Sequence, residues 1–406
     1  MDSRQAAKEI MVLIQKQESV RKASINLVSS ENLTSPQVTS AVCSDFMHRY
    51  MLSGKEQFEA ILKIAEQICK TIFSLAFVEF RAISGQLADM IIFNALSKPG
   101  HNVMLLDSDT QGAHPLEDAC RALGRRPVYF EFNPQEYNID VDKTVTRIEK
   151  EKPDLILFNA ANLLFPHPVK MISESTDASI CYDASHPLGL IAGGQFPHPI
   201  QEGADVMIGG TQKTLPGTQH ALIMSDDPEV MKRIVDESWG PKNAFAGNRH
   251  YNDIVGLALA LCETAEYGKQ YAEQIVKNAK ALASDLNDVG FNPLCPDKGF
   301  TETQTILVNV GNLGGGTVAR DLLDQSNITS SATRLPVDKH EESISGIRLG
   351  TPEVTRLGMR EAEMGEIAQF IKKVLLEKKS PKRVREEIAE FRSEFQDVHY
   401  RFTSLD

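Results

Sequence analysis

The sequence predicts an α/β fold with a largely parallel β-sheet. Helix-like stretches alternate with short β-rich runs at Val103–Asp107, Asp154–Phe158, Ala178–Asp183, Val206–Gly209 and Ala221–Met224. Such alternation is typical of parallel sheets. Asp183 ends one of these runs, and Lys213 follows the next one along the chain. Because ligands collect at the carboxyl ends of parallel strands, we expect these two side chains to share a binding edge.

The chain begins with elements that precede this alternation. Residues 4–18 have helical spacing and enough charge to form an exposed arm, which we expect to pack on a partner subunit. Ile25–Asn32 is typical of an extended segment that runs into a loop. We therefore predict an N-terminal arm over residues 1–45 and a large domain that begins at residue 46.

The pattern changes again near residue 288. A long helical pattern over 254–287 places apolar residues at intervals of three or four. Short strands follow at Thr305–Val310 and Ile328–Arg334, and then a charged, helix-rich tail. The sequence thus predicts a large domain over 46–287 and a smaller C-terminal α/β domain over 288–406.

Composition excludes several classes of protein. With 42% apolar residues among 406, the chain can fill a core, and its net charge of −12 argues against nucleic acid as a partner. The six cysteines lack any metal-ligand spacing, so we predict reduced thiols, no metal site and a cytoplasmic location. No apolar run is long enough to span a bilayer, so no membrane association is expected.

Lys213 and Asp183 together indicate pyridoxal 5′-phosphate chemistry. Lys213 lies in the stretch Gly-Gly-Thr-Gln-Lys-Thr-Leu-Pro-Gly, where its amine can form a Schiff base with the aldehyde of the cofactor. A carboxylate such as Asp183 holds the pyridine nitrogen protonated, so that the ring accepts electrons. The sequence therefore predicts pyridoxal 5′-phosphate as the cofactor.

Four separated motifs extend this prediction over essentially the full length. They are Ser29–Pro36, similar to A-S-E-N-x-T-S-P; Asp183–His186 followed by Gly189-Leu190, similar to D-x-A-H-x-x-G-L; Thr211–Gly217, similar to T-H-K-T-x-x-G; and Gly346–Pro352 followed by Thr355-Arg356, similar to G-x-R-[IL]-G-T-P-x-x-T-R. In this order they resemble the serine hydroxymethyltransferase family of fold-type I pyridoxal-phosphate enzymes. The resemblance implies a fold-type I transferase fold acting on a small amino-acid substrate.

The resemblance also implies roles for individual residues. Lys213 would be the Schiff-base lysine and Asp183 the partner of the pyridinium nitrogen. Arg348 would hold the substrate carboxylate bidentately, with Ser30 nearby. The phosphate would be bound by Ser84, Gly85 and Gln86, where Gln86 replaces a family serine. His114 would stack on the pyridine ring, His186 would lie near the cofactor, Thr211 would contact the phosphate or the ring, and Tyr50 would reach the cofactor of the other subunit in a homodimer with shared active sites.

Two segments depart from the pattern of the folate-dependent family members. The family segment Y-A-E-G-Y-P-G-x-R-Y-Y carries a glutamate that takes part in proton transfer and folate chemistry, and here Leu52 stands at its position. Leucine cannot transfer a proton, and a general acid or base contributes about 10²–10⁴-fold in rate. The family's Q-G-G-P segment is replaced around Ala246–His250, which resembles the S-N-x-H of hydroxymethyltransferase-like L-threonine transaldolases.

The favoured prediction is therefore folate-independent retro-aldol cleavage and aldol transfer of a β-hydroxy amino acid. Three alternatives stay open. The first is a different outcome of the same carbanion, either β-elimination, including carbon–sulfur cleavage, or decarboxylation coupled to deamination of a specialised amino acid. Folate-dependent serine hydroxymethyl transfer and an inactive scaffold are the other two.

Overall fold

The structure is a computed structural model that describes residues 2–49, 53–239, 245, 247–338 and 344–404. Its helices are α1 (Ser3–Lys22), α2 (Pro36–Val42), α3 (Lys55–Phe73), α4 (Gly85–Leu96), α5 (Glu117–Ala122), α6 (Val141–Glu151), α7 (Val169–Ser173), α8 (Leu188–Ala192), α9 (Pro228–Trp239), α10 (Tyr251–Asp288), α11 (Gly316–Gln325), α12 (Pro352–Arg356), α13 (Glu361–Leu375) and α14 (Pro381–Ser393). Its strands are β1 (Ile25–Asn26), β2 (Phe77–Glu79), β3 (Asn102–Leu105), β4 (Arg126–Tyr129), β5 (Phe132–Asn133), β6 (Asn138–Ile139), β7 (Leu155–Phe158), β8 (Ser179–Asp183), β9 (Val206–Gly210), β10 (Ala221–Ser225), β11 (Asn292–Pro293), β12 (Thr305–Asn309), β13 (Ile328–Thr329), β14 (Ser331–Thr333) and β15 (Gly346–Gly350).

The main sheet has the order β2-β10-β9-β8-β7-β3-β4 among the described residues. Strands β9, β8, β7, β3 and β4 run parallel, and β10 pairs antiparallel with both β9 and β2. Every residue of β7, β9 and β10 is buried, as expected for strands covered on both faces. The prediction of a mostly parallel α/β sheet is confirmed.

A smaller antiparallel sheet, in the order β11-β12-β15-β14, forms the second part of the described fold. In its register Leu307 of β12 and Ser331 of β14 both lie opposite Arg348 of β15. This register fixes Arg348 in the central part of the sheet.

Helix α10 joins the two sheets. Its first half contributes Ile254 and Leu261 to the apolar core of the main sheet, and its second half contributes Leu282 and Leu286 to the core of the smaller sheet. The predicted boundary at residue 287 therefore falls at the end of a helix that both cores share.

The N-terminal segment has two different parts. Helix α1 buries none of its own residues and exposes Ile10, Met11, Val12, Leu13 and Ile14. By contrast, β1 pairs in parallel with β13, and Ile25 and Leu27 are fully buried in the core of the smaller sheet. The segment predicted as an N-terminal arm is therefore exposed in α1 and buried in β1.

One predicted strand was wrong in its extent. Residues 328–334 form two strands, because β13 pairs with β1 and β14 pairs with β15. The chain changes sheets between them, which an apolar pattern cannot reveal. No helix in the described part of the chain is both long enough and apolar enough to cross a membrane.

Candidate active site

A cavity of about 630 Å³ opens at the carboxyl ends of the parallel strands. Nine of the residues predicted for the site line it: Ser30, Ser84, Gly85, Gln86, His114, Asp183, His186, Lys213 and Arg348. They come from both sheets and from segments more than 300 residues apart. The cavity volume is within the range of roughly 300–1,000 Å³ typical of small-molecule sites.

Lys213 lies in a tight turn three residues after β9. Thr214 holds this turn, because its hydroxyl donates to the carbonyl of His186 at 2.6 Å and accepts from the amide of Gly189 at 2.9 Å. Asn32 donates to the carbonyl of Lys213 at 2.6 Å from the other side. The lysine turn is therefore held by two separate parts of the chain, the segment that contains His186 and Gly189 and the segment that contains Asn32.

Burial lowers the pKa of Lys213 below its ordinary value. Asp183 opposes this shift by favouring the ammonium form, and Arg348 reinforces it by repelling that form. A lowered lysine pKa increases the fraction of neutral amine, which is the form that attacks an aldehyde. The electrostatics of the site are therefore those that a Schiff-base lysine needs.

Asp183 is the last residue of β8 and is 6% exposed. Its Oδ1 accepts a hydrogen bond from the amide of Ser185 at 2.8 Å. The hydroxyl of Ser185 in turn accepts from the amide of Gly210 at 2.8 Å. These bonds tie the ends of β8 and β9 together and orient the carboxylate at the cavity wall.

His114 follows β3, and Asn159 holds it in place. The amide of His114 donates to the carbonyl of Asn159 at 2.7 Å, and the Asn159 side-chain amide donates back to the carbonyl of His114 at 2.8 Å. Burial lowers the pKa of the His114 imidazole, with Asp183 opposing the shift. A neutral His114 can stack on a ring or accept a proton.

His186 is only 5% exposed, and burial lowers its pKa well below the ordinary value. The positive charges of Lys213 and Arg348 add to that shift. His186 is therefore neutral at physiological pH and can take part in hydrogen bonding but not in ion pairing.

Arg348 projects from β15 into the same cavity. Its Nη1 donates to Oδ1 of Asn162 at 3.1 Å, while its Nε is buried and has no hydrogen-bond partner among the described residues. Burial lowers the pKa of the guanidinium, although an arginine stays charged in proteins. An unsatisfied buried donor on a cation is suited to an incoming carboxylate.

Ser30 is carried to Arg348 by a close approach of two backbones. The amide of Gly350 donates to the carbonyl of Leu27 at 2.8 Å. A Cβ at Gly350 would lie 2.3 Å from the Cα of Ser29, so only glycine fits there. This contact fixes the Ser30 segment beside β15.

The predicted phosphate-binding residues stand at the start of α4, a twelve-residue helix. Ser84 is its N-cap and accepts from the amide of Leu87 at 3.2 Å. The free amides at a helix start attract anions. Ser84 and Gln86 are exposed in the cavity, where they can reach a phosphate.

One described residue of the predicted site, Thr211, is not among those lining the cavity. Thr211 is fully buried, and its hydroxyl donates to the carbonyl of Thr218 at 2.7 Å. That bond uses its single hydroxyl hydrogen, which leaves it no donor for a phosphate. Tyr50 lies outside the described residues, as do Leu52 and Ala246.

Other lining residues escaped the sequence prediction, among them Asn162, Thr333 and Arg334. Asn162 bridges the two sheets, because its side-chain amide also donates to the hydroxyl of Thr333 at 2.8 Å. One signal was available: Asn159 directly follows β7 and Asn162 lies three residues further on, at the edge where ligands collect.

These features fit pyridoxal 5′-phosphate. A helix N-terminus faces the cavity for the phosphate, a carboxylate and a lysine of lowered pKa line it, and Arg348 offers an unpaired buried donor. Each feature meets one functional group of the cofactor or of an amino acid joined to it.

Comparisons with known proteins agree with this geometry. The family model described as Serine hydroxymethyltransferase matches residues 4–371. A protein named serine hydroxymethyltransferase from Methanocella arvoryzae is 38% identical, and the match spans 97% of this chain and 96% of that protein. A protein of the same name from Korarchaeum cryptofilum is 39% identical, and the match spans 94% of this chain and 93% of that protein.

Among solved structures, the L-threonine transaldolase from Pseudomonas fluorescens in its internal aldimine state matches with a TM-score of 0.90. The two chains are 26% identical, and the match covers 98% of this chain and 94% of the transaldolase. The fold is that of fold-type I pyridoxal-phosphate transferases, and pyridoxal 5′-phosphate is the cofactor. The chain is thus a pyridoxal-phosphate-dependent transferase and belongs to the serine hydroxymethyltransferase family.

Proposed function

We propose that the protein cleaves a β-hydroxy amino acid between Cα and Cβ and transfers the resulting glycine unit to another aldehyde, without folate. The main observation behind the proposal is how few carboxylic acids line the cavity. Among the described residues that line it, Asp183 is the only carboxylic acid. The sequence also places Leu52 where folate-dependent members of the family carry a glutamate.

The residues of this chain supply binding and proton transfer. Lys213, Asp183 and the start of α4 hold the cofactor, which stabilises negative charge at Cα when bound. Arg348, oriented by Asn162, binds the α-carboxylate and fixes which Cα bond is broken. Ser30 assists Arg348 from the adjoining segment.

His114 acts as the base in this proposal. It accepts the β-hydroxyl proton as the Cα–Cβ bond breaks and an aldehyde leaves, while the electron pair of the bond stays at Cα. In the forward transfer, Cα attacks the carbonyl carbon of the acceptor aldehyde, and His114 returns the proton to the new alkoxide. Its lowered pKa keeps the imidazole neutral and able to accept.

The solved transaldolase supports this proposal by its likeness over nearly the whole chain. A second candidate, folate-dependent serine hydroxymethyl transfer, is favoured by the names of the curated relatives, which are 37–39% identical. The two candidates share the cavity and differ in the reaction partner of the glycine unit, which is a free aldehyde in the first and the one-carbon group of folate in the second.

The test supplies the holoenzyme with threonine and a second aldehyde such as benzaldehyde, and measures both acetaldehyde and the new β-hydroxy amino acid. The proposal expects equal amounts of the two products in folate-free buffer. A matched reaction contains serine with and without tetrahydrofolate. Serine cleavage that requires tetrahydrofolate, without acetaldehyde from threonine, would establish the second candidate instead.

We also propose that the protein is a homodimer with shared active sites. Helix α1 presents Ile10, Met11, Val12, Leu13 and Ile14 to solvent within one chain. A contiguous exposed apolar surface of this kind marks an interaction site, and a self-complementary dimer is the commonest way to cover one.

A further inference from the structure

We propose that Arg334 forms a second anion-binding subsite, so that the preferred substrate is an amino acid whose side chain carries an acidic group. The inference rests on the proposed amino-acid chemistry of the cavity and adds the class of substrate. Arg334 lines the same cavity as Arg348 and is not needed for the cofactor contacts or the α-carboxylate contact described above.

The register of the smaller sheet places the two arginines at a distance that suits a ligand with two charges. Ser331 of β14 lies opposite Arg348 of β15, and Arg334 is three residues beyond Ser331. At about 3.4 Å per residue, the two α-carbons are separated by roughly 10 Å along the sheet. Arg334 lies one residue beyond the end of β14, and both arginines line the cavity. This spacing leaves room for an α-carboxylate at one end and a side-chain acid at the other.

The wall between the two arginines is continuous. Asn162 accepts from Arg348 at 3.1 Å and donates to Thr333, the neighbour of Arg334, at 2.8 Å. A ligand held by Arg348 thus extends along Asn162 and Thr333 toward Arg334.

Arg334 already pairs with an acid. Its Nη1 lies 3.1 Å from Oδ1 of Asp109, and the side chains are 20% and 69% exposed, respectively. Exposed pairs of this type are worth little, since water screens them. A carboxylate inside the cavity, where fewer waters compete, can therefore share or replace Asp109 as the partner of the guanidinium.

The charges around the cavity favour an acid over a neutral side chain. Lys213, Arg348 and Arg334 line it, against the single carboxylate of Asp183 among the described lining residues. Lys213 and Asp183 face the cofactor in the proposed function, and Arg348 binds the α-carboxylate. Arg334 is the remaining described lining cation.

The experiment titrates the holoenzyme with two matched pairs, L-aspartate against L-asparagine and L-glutamate against L-glutamine. Binding is followed by the visible absorption of the cofactor, which requires no turnover. We expect the acid of at least one pair to bind about 5- to 30-fold more tightly than its amide, as one partly screened charge-assisted hydrogen bond provides. Equal affinities in both pairs would overturn the proposal.

Two variants should change the preference for the acid in opposite directions. Arg334→Gln removes the charge, so the preference for the acid should fall toward one. Asp109→Asn removes one competing carboxylate at nearly constant shape, so the preference should rise above that of the wild type. An unchanged preference in Arg334→Gln would overturn the proposal.

The affinity of each apoprotein variant for pyridoxal 5′-phosphate is measured alongside. If Arg334→Gln weakens cofactor binding and keeps the preference for acids, Arg334 belongs to the phosphate site and the proposal is overturned. Because the titration reads binding alone, a preference for acids without aldol transfer would support the subsite and reject the proposed reaction.

Discussion

At Lys213, two neighbouring charges of opposite sign act on one amine. Burial lowers its pKa, Asp183 raises it and Arg348 lowers it further. In the proposed function, Asp183 also faces the cofactor and Arg348 also binds the substrate carboxylate. The reactivity of the lysine therefore depends on residues that do not touch the aldehyde carbon.

The first prediction follows from these signs. The rate at which the apoprotein captures pyridoxal should rise with pH as the amine loses its proton, with a midpoint below the ordinary lysine value of about 10.4. Asp183→Asn should move the midpoint to lower pH, and Arg348→Leu should move it to higher pH. Shifts in the same direction, or a wild-type midpoint equal to that of free lysine, would contradict this account. Stopped-flow absorbance across the pH range provides the measurement.

The second prediction concerns Asn162, which orients Arg348 at 3.1 Å. Asn162→Ala should raise KM for the amino acid about tenfold, because it removes one hydrogen bond to a charged group. The change in kcat should be smaller, and the cofactor spectrum should stay that of the wild type. Asn159→Ala serves as the comparison: Asn159 holds His114 rather than Arg348, so it should affect kcat more than KM. The same pattern in both variants would refute the separate roles.

At the level of elements, the site depends on close contacts between short segments. Helix α8 packs against the lysine turn at Gly189, where a Cβ would lie 2.3 Å from the carbonyl oxygen of Thr214. That distance is far inside van der Waals contact, and the obstacle is backbone that cannot rotate away.

The third prediction tests this contact. Gly189→Ala should lower the free energy of unfolding by about 1–3 kcal/mol, the usual cost of overpacking, and should weaken cofactor binding by displacing the turn. Gly247→Ala is the control, because no atom of the described part of the chain lies within 4 Å of a Cβ there. Thermal unfolding of both variants, with and without cofactor, decides the matter. Equal stability of the two variants would show that the turn adapts.

The strands show which structural features a local sequence pattern can predict. Strands β7 and β8 lie within one residue of their predicted starts and end where predicted, because each is a buried apolar run closed by a polar residue. The break between β13 and β14 was missed, since which sheet a strand joins depends on partners distant in sequence.

The residues of the candidate site likewise fall into those that a local motif predicts and those that it does not. Lys213, Asp183 and Arg348 stand in contiguous motifs, and the structure brings all three to one cavity. Asn162 and Arg334 stand in no motif, and the partner of Asn162 lies 186 residues away. Their presence in the cavity depends on how the two sheets pack together, which a local pattern does not encode.

For the whole molecule, the exposed apolar residues of α1 are the basis of the proposed homodimer. We predict that purified wild-type protein has the mass of a dimer and that Ile10→Asp combined with Leu13→Asp shifts it toward a monomer. These residues are three apart and share one helix face. Gln15→Asp, also exposed on α1, adds charge to the same helix and should keep the dimer. Light scattering at several concentrations measures the mass, and a dimer that survives the double substitution would place the interface elsewhere.

Shared active sites make a fifth, independent prediction. Lys213→Ala and Tyr50→Phe homodimers should each be impaired, yet mixing and exchanging their subunits should restore about a quarter of wild-type activity. In a two-fold symmetric dimer, half of the exchanged molecules then contain one site with both native residues. No recovery after exchange, confirmed by mass spectrometry, would mean that each chain builds its own site.

The central claim is that the carbanion formed at this site passes to an aldehyde and not to or from folate. The most direct measurement is kcat/KM of the holoenzyme for threonine in folate-free buffer, compared with kcat/KM for serine in the presence of tetrahydrofolate. We predict that threonine cleavage, followed as released acetaldehyde, has the higher value and does not change when tetrahydrofolate is added. A higher value for serine that vanishes when tetrahydrofolate is omitted would contradict the claim.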